Sequence, residues 1–517
     1  MADPAPKPKD YARRLFKGSA IVFAAFIASE IIGIFLRMFL ARSLTVAEYG
    51  LFYAVLAFVS LFSLFQGLGL SAALGKYIPE FTVRKRFPEI KSSIAFAMLV
   101  QAVLAFTTSA VLFILSDHIA LAVFGTLNAS LPLRILSIWF FVEGFRGIVL
   151  STIQGFQNMG VYSLLSFSHI MLFFFSAVLF VSILSLSLNG VAIAYLLATV
   201  LICLFGIAFC IRRYSHVFRE KISITKPLRK KLLMFGLPLF VAGFGSLIIN
   251  YTDTITITVF RTMPEVGYYQ AAQPTARILW YFPMALTAVL FPMISELWAR
   301  QKQKLLGQAL HFLTKFSFVI LIPAALVFIA FPDIVIDRLF GPGYLAGAAA
   351  LQILSATAIA YVLCGILSSV IGGIGRPMIV TKIIAVMALF NLVCDLALVG
   401  PCGIEGVAMA TLGAWFLGLV LFFYYSRKFI KFGMPYLSIL KTAVGGVLTL
   451  LLIFDLKSIL TLPPWPEAFV VVILGMLFYV AWILATKAIT KDDLRLITRI
   501  VSMPRRLAKL IEKLGRK

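Results

Sequence analysis

Charged side chains are scarce in this sequence. Lys, Arg, Asp and Glu make up 13% of its 517 residues, where a soluble domain carries about 25%. That excludes an ordinary soluble domain and a disordered chain. Acidic residues are the scarcer sign, 21 against 46 basic ones, for a net charge of +25. The five cysteines, Cys203, Cys210, Cys364, Cys394 and Cys402, contain no C-x-x-C. They read as small packing residues, with no disulfide framework and no metal site. The four histidines are scattered, and His169 reads as a satisfied histidine within a helix bundle. No G-x-x-x-x-G-K-[ST] loop is present, so no nucleotide hydrolysis is expected. Long polar connections are missing too, which leaves no room for a catalytic domain and predicts a protein that is not an enzyme. No cofactor is expected.

Apolar residues fill the space: 61% of the chain is hydrophobic and 14% aromatic. The first apolar stretch, about 18–40, is too long for a signal peptide and reads as a membrane helix. The pattern predicts an all-α polytopic membrane protein with 14 transmembrane helices. The second span is expected at 49–75, and the eleventh and twelfth at 377–399 and 404–425. Short amphipathic pieces are expected near 117–125 and 333–341.

The basic residues give direction. One set of loops and both tails hold nearly all the Lys and Arg outside the spans. The opposite set holds only Arg42, Arg261, Arg338 and Lys457. By the positive-inside rule both termini are cytoplasmic, in a multi-pass protein of the cytoplasmic membrane. The charge therefore calls for membrane lipid and not nucleic acid. A basic tail with helically spaced Leu and Ile from Lys491 to Lys517 fits the cytoplasmic leaflet. Asn128-Ala129-Ser130 is a sequon on the outer side.

The first twelve spans repeat with a period near 217 residues. Ala47-Glu48-Tyr49-Gly50 echoes Pro264-Glu265-Val266-Gly267, and Asn189-Gly190-Val191-Ala192 echoes Glu405-Gly406-Val407-Ala408. Asp117 to Gly125 echoes Asp333 to Gly341, and Ile153-Gln154-Gly155 echoes Ile371-Gly372-Gly373. Six spans is an even number, so the two repeats are parallel, and a substrate path is expected between them. The segments are a cytoplasmic N-tail (1–17), an N-lobe (18–212), a basic linker (213–231), a C-lobe (232–426), two C-terminal spans (427–488) and a basic tail (489–517).

Ala41-Arg42-Ser43-Leu44 through Ala47-Glu48-Tyr49-Gly50-Leu51, and Asn391-x-x-x-Asp395 followed by Gly403-Ile404-Glu405-Gly406, carry a family resemblance. Over about residues 13–430 the chain resembles the polysaccharide (Wzx-type) flippases of the multidrug/oligosaccharidyl-lipid/polysaccharide (MOP) exporter superfamily. The resemblance implies translocation of a polyprenyl-(pyro)phosphate-linked oligosaccharide from the cytoplasmic to the external leaflet by alternating access. It also implies that the last two spans support a groove for the lipid tail. An ion-coupled exporter of small amphiphilic drugs is the alternative; it would carry more buried carboxylates than cations. Nothing in the sequence demands more than a monomer.

Ionisable residues at bilayer depth are costly and therefore mark function. Arg277 lies about ten residues into the eighth span, before Trp280-Tyr281-Phe282-Pro283. Peptidoglycan-precursor flippases show a similar Arg before an aromatic-Pro pair, which implies a grip on the lipid phosphate. Guanidinium suits that task, being permanently charged and bidentate. Arg37, Arg146, Lys382 and Lys315 are the other phosphate-binding candidates. Glu143 stands three residues before Arg146 and can neutralise it on one helix face. Asp253, Asp395 and Glu30 are candidates for coupling to H⁺ or Na⁺, or for salt bridges with the cations. Tyr49, Tyr53, Gln66, Gln154, Tyr269, Gln273 and Trp280 are candidates for a sugar path, since rings stack on sugar faces and amides bond hydroxyls.

Overall fold

A computed structural model describes residues 8–430, 433, 435–460 and 463–489. The expected tail helix after Lys491 lies outside them. Among the described residues the structure is all helical. In chain order the helices are α1 (Pro8–Ser43), α2 (Val46–Leu61), α3 (Leu70–Val83), α4 (Phe87–Ile114), α5 (Ser116–Phe124), α6 (Ser130–Gly155), α7 (Met159–Ala177), α8 (Ser187–Arg213) and α9 (Ser215–Phe218). They continue as α10 (Lys226–Phe260), α11 (Met263–Ala299), α12 (Gln303–Ala330), α13 (Pro332–Phe340), α14 (Ala348–Gly373), α15 (Pro377–Phe429), α16 (Tyr436–Ile459) and α17 (Pro464–Ala485). Helical segments cover the expected spans, though not one helix to each. Among the described residues nine helices, or ten with one bent pair, are long and apolar enough to cross a membrane by length and composition.

The helices are built for lipid. On α4, Leu99, Val103 and Phe106 are exposed, at a spacing of four and three residues. The opposite face buries Ser93, Ala97, Gln101, Ala105 and Ser109. Large apolar groups outside and small or polar groups inside is the pattern of helix packing in a bilayer.

The second expected span is not one helix. It stops at Leu61, passes through tight turns at Phe62–Phe65 and Gly67–Gly69, and restarts as α3 at Leu70. Gly67, Leu68 and Gly69 all take positive φ, at 65°, 47° and 74°. Glycine adopts that region freely and leucine does not, so the two glycines carry the break. By contrast α15 covers the eleventh and twelfth spans, with the chain kinked at Gly403.

The chain forms two compact units. The first comprises residues up to Ala271 with Leu339–Ala346 and Ala388–Val407; the second comprises Ala272–Arg338, Gly347–Met387 and the chain from Ala408. In the first, Leu70, Leu74, Ile78 and Phe81 of α3 pack with Ile90 and Ile94 of α4, Ile148 of α6 and Leu232 of α10. In the second, Phe318, Ile322 and Leu326 of α12 pack with Leu363 of α14 and Tyr479 and Ile483 of α17.

The sequence repeat has a structural counterpart within the first unit. Thr45 and Glu48 close a capping box at the start of α2. Thr262 and Glu265, the same residues one repeat later, repeat the glutamate half of this box at the start of α11: the Thr262 N–H and hydroxyl both donate to Glu265, at 3.0 and 2.9 Å. Each box satisfies backbone donors that a helix start leaves unpaired. The two helix starts then cross backbone to backbone. A Cβ on Gly50 would lie 2.1 Å from the Met263 carbonyl oxygen, and one on Gly267 would lie 2.5 Å from that of Val46. Gly50→Ala should therefore destabilise the protein by about 1–3 kcal/mol, the usual range for overpacking. A lower melting temperature in detergent reads this out. Gly75→Ala is the control, because nothing lies within 4 Å of its added methyl group.

Candidate functional site

Arg277 stands on α11 in the second unit, beside an aromatic cluster drawn from three helices. Its guanidinium carbon lies 5.4 Å from the Trp280 ring centroid. Tyr361 of α14 stacks on Trp280 at 4.1 Å and 10°. Trp415 of α15 meets both rings edge-on, at 5.7 and 4.8 Å. Arg277 Nε and Trp280 Nε1 are buried donors with no hydrogen-bond partner among the described residues. Buried donors are normally satisfied. Two unsatisfied ones beside a cation–π contact form a site that an anionic, hydrogen-bond-accepting group would complete. Trp280 and Arg277 are legible in the sequence as candidates. Tyr361 and Trp415 are not, because only the fold brings them to α11; their signal is the rarity of Trp and the depth of both residues within apolar helices.

The other candidate cations lie in different surroundings. Arg37 of α1, in the first unit, sits over the Tyr53 ring at 4.5 Å. Tyr53 packs edge-on to Tyr49 at 4.9 Å, and Tyr49 to Tyr344 at 5.5 Å. Arg146 makes a two-pronged ion pair with Glu143: Nε to Oε2 at 2.7 Å and Nη2 to Oε1 at 2.5 Å. This is the local pairing expected from their spacing of three. Near them Thr199 Oγ1 accepts from Trp139 Nε1 at 3.1 Å and lies 3.0 Å from His169 Nε2, so His169 is satisfied. Lys315 of α12 is only 4% exposed, while Lys382 of α15 is exposed.

The candidate carboxylates Asp253 and Asp395 are brought together. Both are buried, at 1% and 0% exposure. One is on α10 and the other on α15, yet their carboxyl groups lie close enough to interact electrostatically. Tyr269 donates its hydroxyl to Asp253 Oδ2 at 2.5 Å. Asn391 approaches Asp395 Oδ1 at 3.5 Å. Gln270 Nε2 donates to Thr254 Oγ1 at 2.7 Å on the same two helices as Tyr269 and Asp253. Glu30 is half-buried on α1.

Among the sugar-path candidates, Tyr49 and Tyr269 are fully buried. Gln66, at the break before α3, donates to the Phe140 carbonyl at 2.8 Å. Gln273 is buried in the second unit and Gln154 is exposed near the end of α6. Lys76 falls just beyond the expected second span, 49–75. It is an exposed cation on α3, 4.1 Å from the Phe235 ring centroid.

Residues 15–298 match the polysaccharide biosynthesis protein family. The chain is 29% identical over 462 residues to an uncharacterized membrane protein of Methanocaldococcus jannaschii, covering 87% of this chain and 91% of that one. It is 22% identical over 282 residues to a probable low-salt glycan biosynthesis flippase, Agl15, of Haloferax volcanii, covering 54% of this chain and 60% of that one. Among solved structures, its fold is similar to the lipid II flippase MurJ in an inward closed conformation. That likeness has a TM-score of 0.71 and 17% identity, and covers 89% of this chain and 98% of that one. An inward-facing multidrug resistance MATE transporter of the MOP superfamily gives 0.66 and 16%, covering 78% and 94%. With more than half of its length in the family match and the fold of these transporters, the chain belongs to the polysaccharide biosynthesis protein family.

Proposed function

We propose that the protein is a flippase that carries a lipid-linked oligosaccharide across the membrane. Its repeats, 18–212 and 232–426, are the two moving lobes of an alternating-access transporter, within fourteen spans. Both termini face the cytoplasm, and transport runs from the cytoplasmic to the external leaflet of the cell membrane. The observation that carries this reading is the Arg277 site. A permanent cation with an unsatisfied N–H, set against Trp280, Tyr361 and Trp415, fits a phosphate next to a sugar. A cationic drug would meet repulsion there. The Haloferax volcanii relative is named as a glycan flippase, and the family match names polysaccharide biosynthesis. Arg37 and Lys382 are further contacts for the phosphate, and Lys315 and Arg146 would join only by exchanging their present surroundings. The protein acts as a transporter, as a monomer and without a cofactor.

The test is translocation of a fluorescent lipid-linked oligosaccharide in proteoliposomes, read by chemical quenching of the label in the outer leaflet. Protein-dependent loss of protected label is expected. No movement of any lipid-linked sugar, with expulsion of a cationic dye on an ion gradient, would overturn the reading in favour of a drug exporter.

A further inference from the structure

The two capping boxes are alike, but their surroundings differ. In the second repeat, Glu265 Oε1 accepts from Arg261 Nε at 2.9 Å. The guanidinium has room because residue 403 is glycine. A Cβ there would lie 3.1 Å from Arg261 Nη2, and the backbone at Gly403 has φ +58°. In the first repeat the equivalent of Arg261 is Leu44, and the equivalent of Gly403 is Ser187. Ser187 also has a positive φ, +46°. Its hydroxyl donates to Glu48 Oε1 at 2.5 Å.

So one carboxylate is answered by the chain's own guanidinium and the other by hydroxyls. Beside Glu48 the fold leaves a cavity of about 540 Å³, bordered by Thr126, Asn128, Ser187 and Asn189. That is within the ordinary range for small-molecule sites. Burial alone would raise the Glu48 carboxyl, but hydrogen bonds from Ser187 and Thr45 outweigh it and hold Glu48 below the usual carboxylate range. Glu48 is therefore ionised at neutral pH, and a phosphate would be repelled.

We infer that this cavity binds a small organic cation, a guanidinium or a protonated primary amine, in the position that Arg261 fills at the second repeat. The amide and hydroxyl oxygens of Asn128, Asn189 and Thr126 accept its N–H groups, and Glu48 supplies the charge. The amine comes either from a free polyamine-like solute or from an amino sugar. The site is separate from Arg277, and the inference does not depend on what the protein transports.

Binding is measured on the full-length protein in nanodiscs, with radiolabelled agmatine, with glucosamine, and with N-acetylglucosamine as the uncharged control. Saturable binding of agmatine or glucosamine is expected. Agmatine alone points to a free solute, and glucosamine to a sugar-borne amine. Glu48→Gln should weaken binding at least tenfold, as the loss of a charge-assisted contact implies. The double variant Leu44→Arg/Ser187→Gly rebuilds the second repeat's arrangement in the first and should also abolish binding, with Glu48 retained. The inference is overturned if neither cation binds below about 10 mM, if uncharged N-acetylglucosamine binds as tightly as the cation that binds best, or if both variants bind like wild type while melting at the wild-type temperature.

Discussion

Arg277→Ala should cut translocation of the lipid-linked oligosaccharide about 10- to 100-fold. The range follows from about 1.5–3 kcal/mol for hydrogen bonds to charged groups, at about 1.4 kcal/mol per factor of ten. The loss should exceed that from replacing any other candidate cation. Arg146 is already occupied by Glu143, and Arg37 is held on the Tyr53 ring. Arg277 combines a permanent cation with a buried Nε donor left unsatisfied beside a second one, Trp280 Nε1. Arg277→Lys should recover only part of the rate. Lysine restores the charge but not the planar fork that holds two phosphate oxygens at once. Trp280→Phe keeps the ring that stacks on Tyr361 and removes the indole N–H, so it separates packing from hydrogen bonding. Initial rates in proteoliposomes, normalised to reconstituted protein, decide the matter. Equal rates for wild type and Arg277→Ala would leave the flippase standing and remove Arg277 from its site.

The helical fold was legible because hydropathy and a 217-residue echo are both linear signals. The echo even marks the two capping boxes, since Thr45 and Glu48 recur as Thr262 and Glu265. The break after Leu61 was not legible from hydropathy. Five of the nine residues from Phe62 to Leu70 are Phe or Leu, which keeps the segment apolar, and the paired Gly67 and Gly69 hint at left-handed backbone. Local pairs were legible for a similar reason: Glu143 and Arg146 are three residues apart, so helix geometry alone predicts their meeting. Long-range partners were not. Trp280 finds Tyr361 and Trp415, and Asp253 finds Asp395, through packing between helices distant in sequence. A hydropathy profile registers each such residue singly as a cost. It carries no record of which other residue relieves that cost.

The second large effect is expected at Asp253 and Asp395. Two buried carboxyls that interact repel each other when both are ionised, so a proton or a cation held with them relieves the repulsion. Either arrangement stores a binding event in the packing between α10 and α15. We propose that this event is the coupling step, with Tyr269 and Asn391 orienting the two carboxyls. Asp395→Asn removes one titrating oxygen while keeping the volume, and still allows a hydrogen bond to Asp253. It should leave the protein folded and abolish the acceleration of translocation by an ion gradient, so that rates with and without the gradient become equal. Asp253→Asn should do the same and should also loosen the Tyr269 contact. Imposing a pH gradient or a Na⁺ gradient separately tells the two ions apart. If gradient-driven acceleration persists in both variants, the carboxyl pair is a packing element and the coupling ion binds elsewhere. If wild type shows no acceleration by either gradient, transport is uncoupled, and the pair serves to hold α10 against α15 inside an apolar bundle.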